Sequence, residues 1–208
     1  MLLYCVRHGE SQYNAENRIQ GQTNVPLSEL GLRQGEALRS AMADLPVEAI
    51  FASPLRRAMQ TAQPLADALN IEIRTDPRLM EIDAGVFQHQ LRSELGDLYP
   101  EAAAAWFGGD PDFTIPGGES RRDLMHRGRE VFETIRQTGH EHVAVVSHGG
   151  LLCGALKALL NIPAALNPFV LQNGSISRLE MTDAQTRLHT LNQVEHLRDV
   201  GLAGSGDL

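Results

Sequence analysis

Residues 2–10 read LLYCVRHGE, an apolar run that ends in the charged sequence Arg7-His8-Gly9-Glu10. Residues 143–150 read VAVVSHGG, a second apolar run that ends in His148. Short apolar runs of this kind are typical of buried strands, and open α/β sheets bind their ligands beyond the carboxyl ends of parallel strands. The two histidines should therefore meet there, and Arg7 adds a permanent positive charge beside them. This pattern indicates a phosphate site.

Further along the chain, strand-like runs alternate with segments of helical periodicity. The predicted strands lie at 2–6, 49–52, 71–74 and 143–146. This alternation is typical of a mainly parallel sheet with helices on both faces. Near the end, residues 175–181 and 187–192 flank a polar turn and predict a hairpin that adds antiparallel edge strands. The sequence therefore predicts a three-layer α/β/α fold with a mostly parallel mixed sheet.

Serine residues signal three helix starts. Ser28 and Ser53 precede apolar stripes at helical spacing, and Pro54 suits the first turn of the second helix. Ser120 with Asp123 resembles a capping box. We therefore expect these three serines to be N-caps.

The composition limits the class of partner. The chain has 208 residues and a formal net charge of −8, with only 18 Lys and Arg residues spread along it. Surfaces that bind nucleic acid or acidic membranes need clustered basic residues, so we expect neither partner. Any anionic ligand must be held locally.

The length suits one domain, 1–208, with an excursion at about 87–118 that would cover the substrate. Cys5 and Cys153 both lie in apolar segments, so we expect packed thiols and a reducing compartment rather than a disulfide. The sequence has no signal-peptide core and no uninterrupted apolar span, which favours the cytoplasm. The tail at 201–208 is small and polar, and we expect it to fray.

Charged side chains follow all four predicted parallel strands. Arg7 and His8 follow the first strand, Arg57 lies one helical turn beyond the second, Glu81 follows the third, and His148 follows the fourth. Because the carboxyl ends of parallel strands share one edge of a sheet, these residues could meet around one anion. Each has an ordinary structural explanation when taken singly, but their common placement favours a functional site.

An ordered set of motifs carries a resemblance to a known family. Besides residues 3–11 (LYCVRHGES), the set comprises Asn14, Gln20-Gly21, 26–28 (PLS), 53–58 (SPLRRA), Glu81-Ile82, Gly85, 116–120 (PGGES) and 147–150 (SHGG). The set spans nearly the whole chain. It resembles the histidine phosphatase superfamily, also called phosphoglycerate mutase-like, in its smaller phosphatase branch, and the resemblance implies a phosphoglycerate mutase-like fold.

The resemblance also implies a role for each matching residue. His8 would become phosphorylated and Glu81 would transfer protons, while Arg7, Arg57 and His148 would bind the phosphoryl group. The further substrate contacts would be Asn14, Gln20, Gly21 and Gly149. The implied activity is hydrolysis of a small phosphorylated metabolite through a phosphohistidine, with no metal and no cofactor.

The chemistry of these residue types is consistent with the implied roles. Two guanidinium groups near His8 would disfavour its protonated form and keep a nucleophilic nitrogen available. They would also neutralise the oxygens of a loose phosphoryl-transfer transition state. A carboxyl group such as Glu81 can donate a proton to the departing alcohol and later accept one from water.

Two alternatives remain open. A cofactor-dependent phosphoglycerate mutase would pass the phosphoryl group to a second hydroxyl, although mutases of this family usually carry longer insertions and a different sequence after the catalytic Glu than residues 82–85 (IDAG). A non-catalytic, regulatory phospholigand-binding module is disfavoured by the intact set of core residues. The apolar stretch at 159–163 and the final hairpin would suit a homodimer, but an ordinary core explains them as well.

Other phosphate and metal chemistries fit the sequence poorly. Ala155 stands where a P-loop needs Lys, and neither Cys has an Arg at the distance that would cradle phosphate around a thiolate. His140-Glu141-His142 lies at the amino end of the fourth strand, opposite the expected site, so a metal role is disfavoured.

The chain departs from the family pattern near the expected leaving group. Asn24 stands where Asp is usual, and residues 86–89 (VFQH) replace an aromatic-Glu-Gly sequence. Specificity therefore cannot be transferred from familiar members. The residues that could line the pocket, or could instead pack beneath the excursion, are Phe87, Gln88, His89, Trp106 and Phe107.

Overall fold

The computed structural model describes residues 1–202, whose strands form one mixed sheet. The strands are β1 (Leu2–Arg7), β2 (Ala49–Ala52), β3 (Ile73–Thr75), β4 (His142–Ser147), β5 (Ile176–Met181) and β6 (Thr186–Gln193). Their order across the sheet is β3-β2-β4-β1-β5-β6. Strands β1 to β4 run parallel, whereas β5 and β6 pair antiparallel at one edge. The predicted mixed sheet with an antiparallel hairpin is confirmed.

Helices connect the strands and cover both faces of the sheet. Within the described residues they are α1 (Gln12–Ala15), α2 (Glu29–Met42), α3 (Arg56–Leu69), α4 (Leu95–Leu98), α5 (Pro100–Phe107), α6 (Arg121–Arg136) and α7 (Gly149–Leu159). None of the helices in 1–202 is long and apolar enough to cross a bilayer. Of the tail that we expected to fray, 203–208 lie outside the described residues.

Strand β1 is buried on both faces, which explains why its sequence is apolar without alternation. Leu3 and Cys5 belong to the core that includes α6 and α7, whereas Tyr4 and Val6 belong to the core that includes α2 and α3. Successive strand residues point to opposite faces, so one continuous apolar run feeds both layers. Burial raises the pKa of the Cys5 thiol to about 12, as befits a packed thiol.

Two of the three predicted N-caps are confirmed. Ser28 Oγ accepts the N–H of Gly31 at the start of α2, and Ser120 forms a reciprocal capping box with Asp123 at the start of α6. These side chains bind backbone N–H groups that have no partner within the helix. The sequence therefore located these two helix starts correctly.

The start of α3 corrects the third prediction. Leu55, not Ser53, occupies the N-cap, and Pro54 precedes the helix rather than lying in its first turn. The N–H of Arg56 is instead satisfied by Asn24 Oδ1 at 2.7 Å, from a loop far away in sequence. Because this cap comes from another segment, local sequence could not reveal it.

The segment between β3 and α6 contains the short helices α4 and α5 joined by turns. Trp106 on α5 is 2% exposed and packs into the core under α6 and α7, whereas its neighbour Phe107 is half exposed. This segment thus attaches to the sheet's α6/α7 side through Trp106. Whether it covers a bound substrate stays a prediction.

Candidate active site

The carboxyl ends of β1 and β4 bring the two predicted histidines together. These strands are neighbours in parallel register, with Arg7 opposite Ser147. His8 and His148 therefore follow side by side, and their ring centroids lie 5.0 Å apart. Both side chains are at most 1% exposed. The carboxyl ends of β1 and β4 therefore lie together, as the sequence predicted.

The hydrogen bonds of His8 fix its tautomer. Nδ1 lies 2.6 Å from the carbonyl oxygen of Gly9, which can only accept, so Nδ1 carries the proton. Nε2 accepts a hydrogen bond from Nε of Arg57 at 3.3 Å. The ring is therefore neutral, and its lone pair at Nε2 faces a guanidinium group.

Backbone carbonyls hold both arginines beside His8. Arg57 donates from Nη1 to Thr23 O and from Nη2 to Gly21 O, each at 2.8 Å. Arg7 donates from Nη1 to Leu171 O. Both side chains are almost fully buried. These neutral carbonyl groups orient both cations beside His8.

His148 is buried against the same cations. Burial, followed by the charge of Arg57, holds the pKa of His148 well below its usual range. Its Nε2 lies 2.8 Å from Ser53 Oγ, while its buried Nδ1 has no hydrogen-bond partner within residues 1–202. Ser53 is thus a positioning residue that sequence reasoning missed, because its place before a helix suggested a cap.

The first turn of α7 holds the carboxylate of Glu81. Oε2 accepts the N–H of Gly150 at 2.9 Å, and Oε1 accepts that of Leu151 at 3.0 Å. Oε1 also accepts the N–H of Ile82 at 2.9 Å. A Cβ on Gly150 would lie 2.5 Å from Glu81 Oε1, so only glycine permits this approach. The helix that follows His148 therefore also positions Glu81.

Arg127 on α6 fixes the backbone that presents Glu81. Its guanidinium donates to the carbonyls of Arg78, Met80 and Glu81 at 2.7–3.2 Å. The same group forms two hydrogen bonds with the Glu119 carboxylate, at 2.7 and 2.9 Å. Arg127 carried no local sequence signal, whereas Glu119 lay within the quoted PGGES motif. Both residues support the site without belonging to the reacting groups.

Asn14, Gln20 and Gly21, which were predicted to contact substrate, make hydrogen bonds within the protein near this cluster. Asn14 Oδ1 accepts from the Ser11 N–H at 3.1 Å and from Asn173 Nδ2 at 3.2 Å. Gln20 Oε1 accepts from Ser11 Oγ at 2.6 Å, and Gly21 contributes its carbonyl to Arg57. Gln20 and Gly21 thus support the loop beside the cations. Their predicted contact with substrate stays a prediction, as does that of Asn14.

A cavity of about 440 Å³ reaches this cluster at Arg7 and at Gly149, the first residue of α7. Trp106 lines it, whereas Phe87 lies fully buried in the core. The other residues weighed as pocket residues, which are Gln88, His89 and Phe107, do not line this cavity. Trp106 therefore both packs in the core and contacts the cavity.

The His140-Glu141-His142 sequence lies at the opposite, amino end of β4. His140 Nδ1 lies 3.6 Å from a carboxylate oxygen of Glu48, and its Nε2 lies 3.2 Å from Nη1 of Arg74. Within 1–202, no three His, Cys, Asp or Glu side chains are grouped closely enough to hold a metal ion. His140 therefore belongs to a surface charge cluster, whereas His142 Nδ1 lies 3.5 Å from the hydroxyl of Tyr4.

Several known proteins are similar to this chain in sequence and in fold. The probable phosphoglycerate mutase GpmB of Proteus mirabilis is 33% identical over 207 residues, which cover 96% of each chain. A mycobacterial glucosyl-3-phosphoglycerate phosphatase solved with VO3 is 33% identical, with a TM-score of 0.85 over 93% of this chain and 99% of that one. YhfR of Bacillus stearothermophilus is 26% identical, with a TM-score of 0.89 over 95% and 99% of the chains.

The family model that matches residues 3–194 is described as histidine phosphatase superfamily, branch 1. The match includes the two strand ends with their histidines, both arginines, and Glu81. With the phosphoglycerate mutase-like α/β fold that it shares with its neighbours, the chain belongs to the histidine phosphatase superfamily, branch 1.

Proposed function

We propose that this protein hydrolyses phosphomonoesters of small metabolites through a phosphohistidine on Nε2 of His8, without a metal ion or cofactor. The observation that supports this most strongly is the pair of hydrogen-bond partners around the His8 ring. Its Nδ1–H is bound to the Gly9 carbonyl, so the lone pair stands on Nε2, beside the Arg57 guanidinium. Attack on phosphorus requires such a lone pair on an oriented nucleophile.

In the first half-reaction, Nε2 of His8 attacks phosphorus and the bond from phosphorus to the ester oxygen breaks. Arg7 and Arg57 neutralise the phosphoryl oxygens, where charge accumulates in the transition state. Nδ1–H of His148 donates a hydrogen bond to one of these oxygens, while Nε2 of His148 accepts a hydrogen bond from the Ser53 hydroxyl. Glu81 delivers a proton to the ester oxygen, so the alcohol leaves neutral.

In the second half-reaction, water attacks the phosphorus of phosphorylated His8. Glu81, now ionised, accepts the proton of that water, and the bond from phosphorus to Nε2 breaks. Inorganic phosphate leaves with its charge still facing the arginines, and His8 regains its lone pair. The Gly9 carbonyl accepts from Nδ1–H throughout, which keeps the ring in one orientation and stabilises the positive charge of the phosphorylated ring.

Phosphate release from a panel of phosphomonoesters in excess chelator tests this proposal. We expect the wild type and a control variant, His126→Ala on the exposed face of α6, to release phosphate. His8→Ala should reduce kcat by at least about a thousandfold, because it removes the nucleophile. A panel on which the wild type releases no phosphate, or equal rates for His8→Ala and wild type, would overturn the proposal.

Phosphoglycerate mutase activity is the second candidate, and the name of the Proteus mirabilis relative favours it. A mutase would transfer the phosphoryl group from His8 to a second hydroxyl faster than to water. The discriminating measurement compares interconversion of phosphoglycerate isomers with phosphate release in the same sample. Hydrolysis without interconversion would exclude the mutase.

A further inference from the structure

The single lysine of the chain lines the same cavity as Arg7 and Gly149. Of the 18 basic residues that are Lys or Arg, 17 are Arg and only Lys157 is Lys. Lys157 stands in the last turn of α7, is 3% exposed and lines the cavity. Because burial of an ammonium group is costly, its place there requires compensating contacts.

The contacts of Lys157 are neutral. Nζ donates to the carbonyl oxygen of Ala164 at 2.8 Å and to Oδ1 of Asn167 at 3.0 Å. Within residues 1–202, no carboxylate forms an ion pair with it. An ammonium group has three donors, so one remains for a group inside the cavity.

Arg121, at the start of α6, is a second cation on the cavity wall. Its Cζ lies 3.5 Å from the centre of the Trp106 ring, and Nη1 donates to Trp106 O at 2.9 Å. Stacking and this bond fix the plane of the guanidinium group. Only one of its five donors is used by the described residues, and none of their carboxylates pairs with it. Arg121 thus presents an oriented set of donors.

The two cations repel each other across the cavity. Burial, followed by the charge of Arg121, lowers the pKa of Lys157. The residues of the described chain that line the cavity include Arg7, Arg92, Arg121 and Lys157, and none is Asp or Glu. A bound anion would relieve this repulsion and use the remaining donors of both side chains.

Helix α7 sets the distance between the two ends. Gly149 lines the cavity near the phosphoryl end, and Lys157 lines it at the far end. With a rise of 1.5 Å per residue, their backbone positions lie about 12 Å apart along the helix. Cys153 and Gly154 line the cavity between them, with Phe169 on the wall. The space between the ends is therefore suited to an apolar substrate body.

We propose that Lys157 and Arg121 form a subsite for a second anionic group of the substrate, in the part of the cavity where Lys157 lies about 12 Å along α7 from Gly149. The substrate would then be a phosphomonoester with a carboxylate or a second phosphate at its far end. This inference rests on the proposed function and narrows its substrate class.

Matched substrates test the subsite: the phosphomonoester of ω-hydroxyoctanoate, that of the corresponding neutral amide, and the bisphosphate of octanediol. For the wild type we expect kcat/KM of a charged substrate to exceed that of the amide by about ten- to a hundredfold. The charged substrate with the larger kcat/KM identifies the second group as a carboxylate or a phosphate. Equal values for all three substrates would overturn the subsite.

Variants assign that preference to the two side chains. Lys157→Met and Arg121→Gln should each lower the ratio of charged to neutral kcat/KM at least about fivefold. Arg122→Gln is the matched control, because that guanidinium pairs with Asp112 outside the cavity and should keep the wild-type ratio. A purely structural role of Lys157 or Arg121 would change both substrates alike and leave the ratio unaltered, which would contradict the proposal.

Binding without turnover separates this subsite from the proposed function. Because Lys157 is the only lysine, protein made with isotope-labelled lysine has one lysine side-chain NMR signal. The non-hydrolysable phosphonate analogue of the octanoate substrate should shift that signal, and the amide analogue should not. A shift without hydrolysis of any ester would refute the hydrolase but support the subsite. Hydrolysis with an unmoved signal would support the hydrolase but refute the subsite.

Discussion

The two ends of the cavity are built by different kinds of contact. At the phosphoryl end, backbone groups hold the reactive side chains: the Gly9 carbonyl orients His8, and amides of α7 hold Glu81. At the far end, Arg121 stacks on the Trp106 ring and Lys157 donates to Asn167 Oδ1, in addition to the backbone carbonyls that both cations bind. Backbone groups thus fix much of the reactive geometry, whereas we expect side chains at the far end to decide the choice among substrates.

This difference separates two kinds of mutational effect. Changes at the phosphoryl end should reduce turnover of every substrate, because the same groups act on every phosphoryl group. Changes at the far end should alter the choice among substrates. A phosphoryl-end variant that changes only the preference among substrates, or a far-end variant that lowers turnover of all substrates alike, would contradict this division.

Glu81→Gln should have the largest effect of the variants that keep His8. Gln can accept the α7 hydrogen bonds but cannot exchange a proton, so we expect kcat to fall about 100- to 1,000-fold for charged and neutral substrates alike. Steady-state kinetics on the matched esters measures this loss. Glu94→Gln, at an exposed position, is the control. A loss confined to one substrate class would assign Glu81 to selectivity instead.

Gly150→Ala should have a smaller effect through the same carboxylate. The added Cβ would lie 2.5 Å from Oε1 of Glu81 and displace it, so we expect kcat to fall about ten- to a hundredfold. Gly96→Ala is the matched control, because nothing lies within 4 Å of its Cβ. An unchanged kcat in Gly150→Ala would contradict the role assigned to the exact position of the Glu81 carboxylate in proton transfer.

The pH dependence of stability should show the smallest effect. Burial lowers the pKa of His148, and of His196 as well, so the folded protein does not take up protons that the unfolded chain accepts below about pH 6.5. Each histidine therefore lowers the free energy of unfolding on acidification, by up to about 1.4 kcal/mol per pH unit. Urea unfolding at several pH values measures this slope.

A variant assigns part of that slope to the phosphoryl end. His148→Gln removes one of the two histidines whose pKa is lowered by burial and should make the slope shallower, whereas His189→Gln, at an exposed position, should keep it. A wild-type slope in His148→Gln would contradict the physical explanation given for the lowered pKa. The far end of the cavity contains no histidine among its described lining residues.

The phosphoryl end could be predicted from sequence because its residues follow strands directly. The structure has β2 at the predicted residues, and it extends β1 by one residue and β4 by two. His8 and His148 therefore follow the carboxyl ends of their strands, as predicted. The third strand was predicted at 71–74 and lies at Ile73–Thr75, so the sequence located the chain segment before Glu81 less accurately. Because β1 and β4 are adjacent in the sheet, the two histidines lie close together although they are far apart in sequence.

The other features depend on contacts between distant segments. Ser53 was misread as a cap because the partner that satisfies Arg56, Asn24, lies on another loop. Arg127 and Lys157 occupy ordinary helix positions, and only the packing of α6 and α7 shows what they reach. Such roles leave no local pattern, so periodicity and spacing could not reveal them.

Direct observation of the covalent intermediate is the strongest test of the central claim. The enzyme is mixed with a phosphomonoester, stopped in alkali during turnover, where phosphohistidine survives, and digested for mass spectrometry and phosphorus NMR. We predict one phosphoryl group, on Nε2 of His8, and none at that position in His8→Ala. Phosphorylation of His148 instead, or turnover with no phosphorylated histidine at any time, would contradict it.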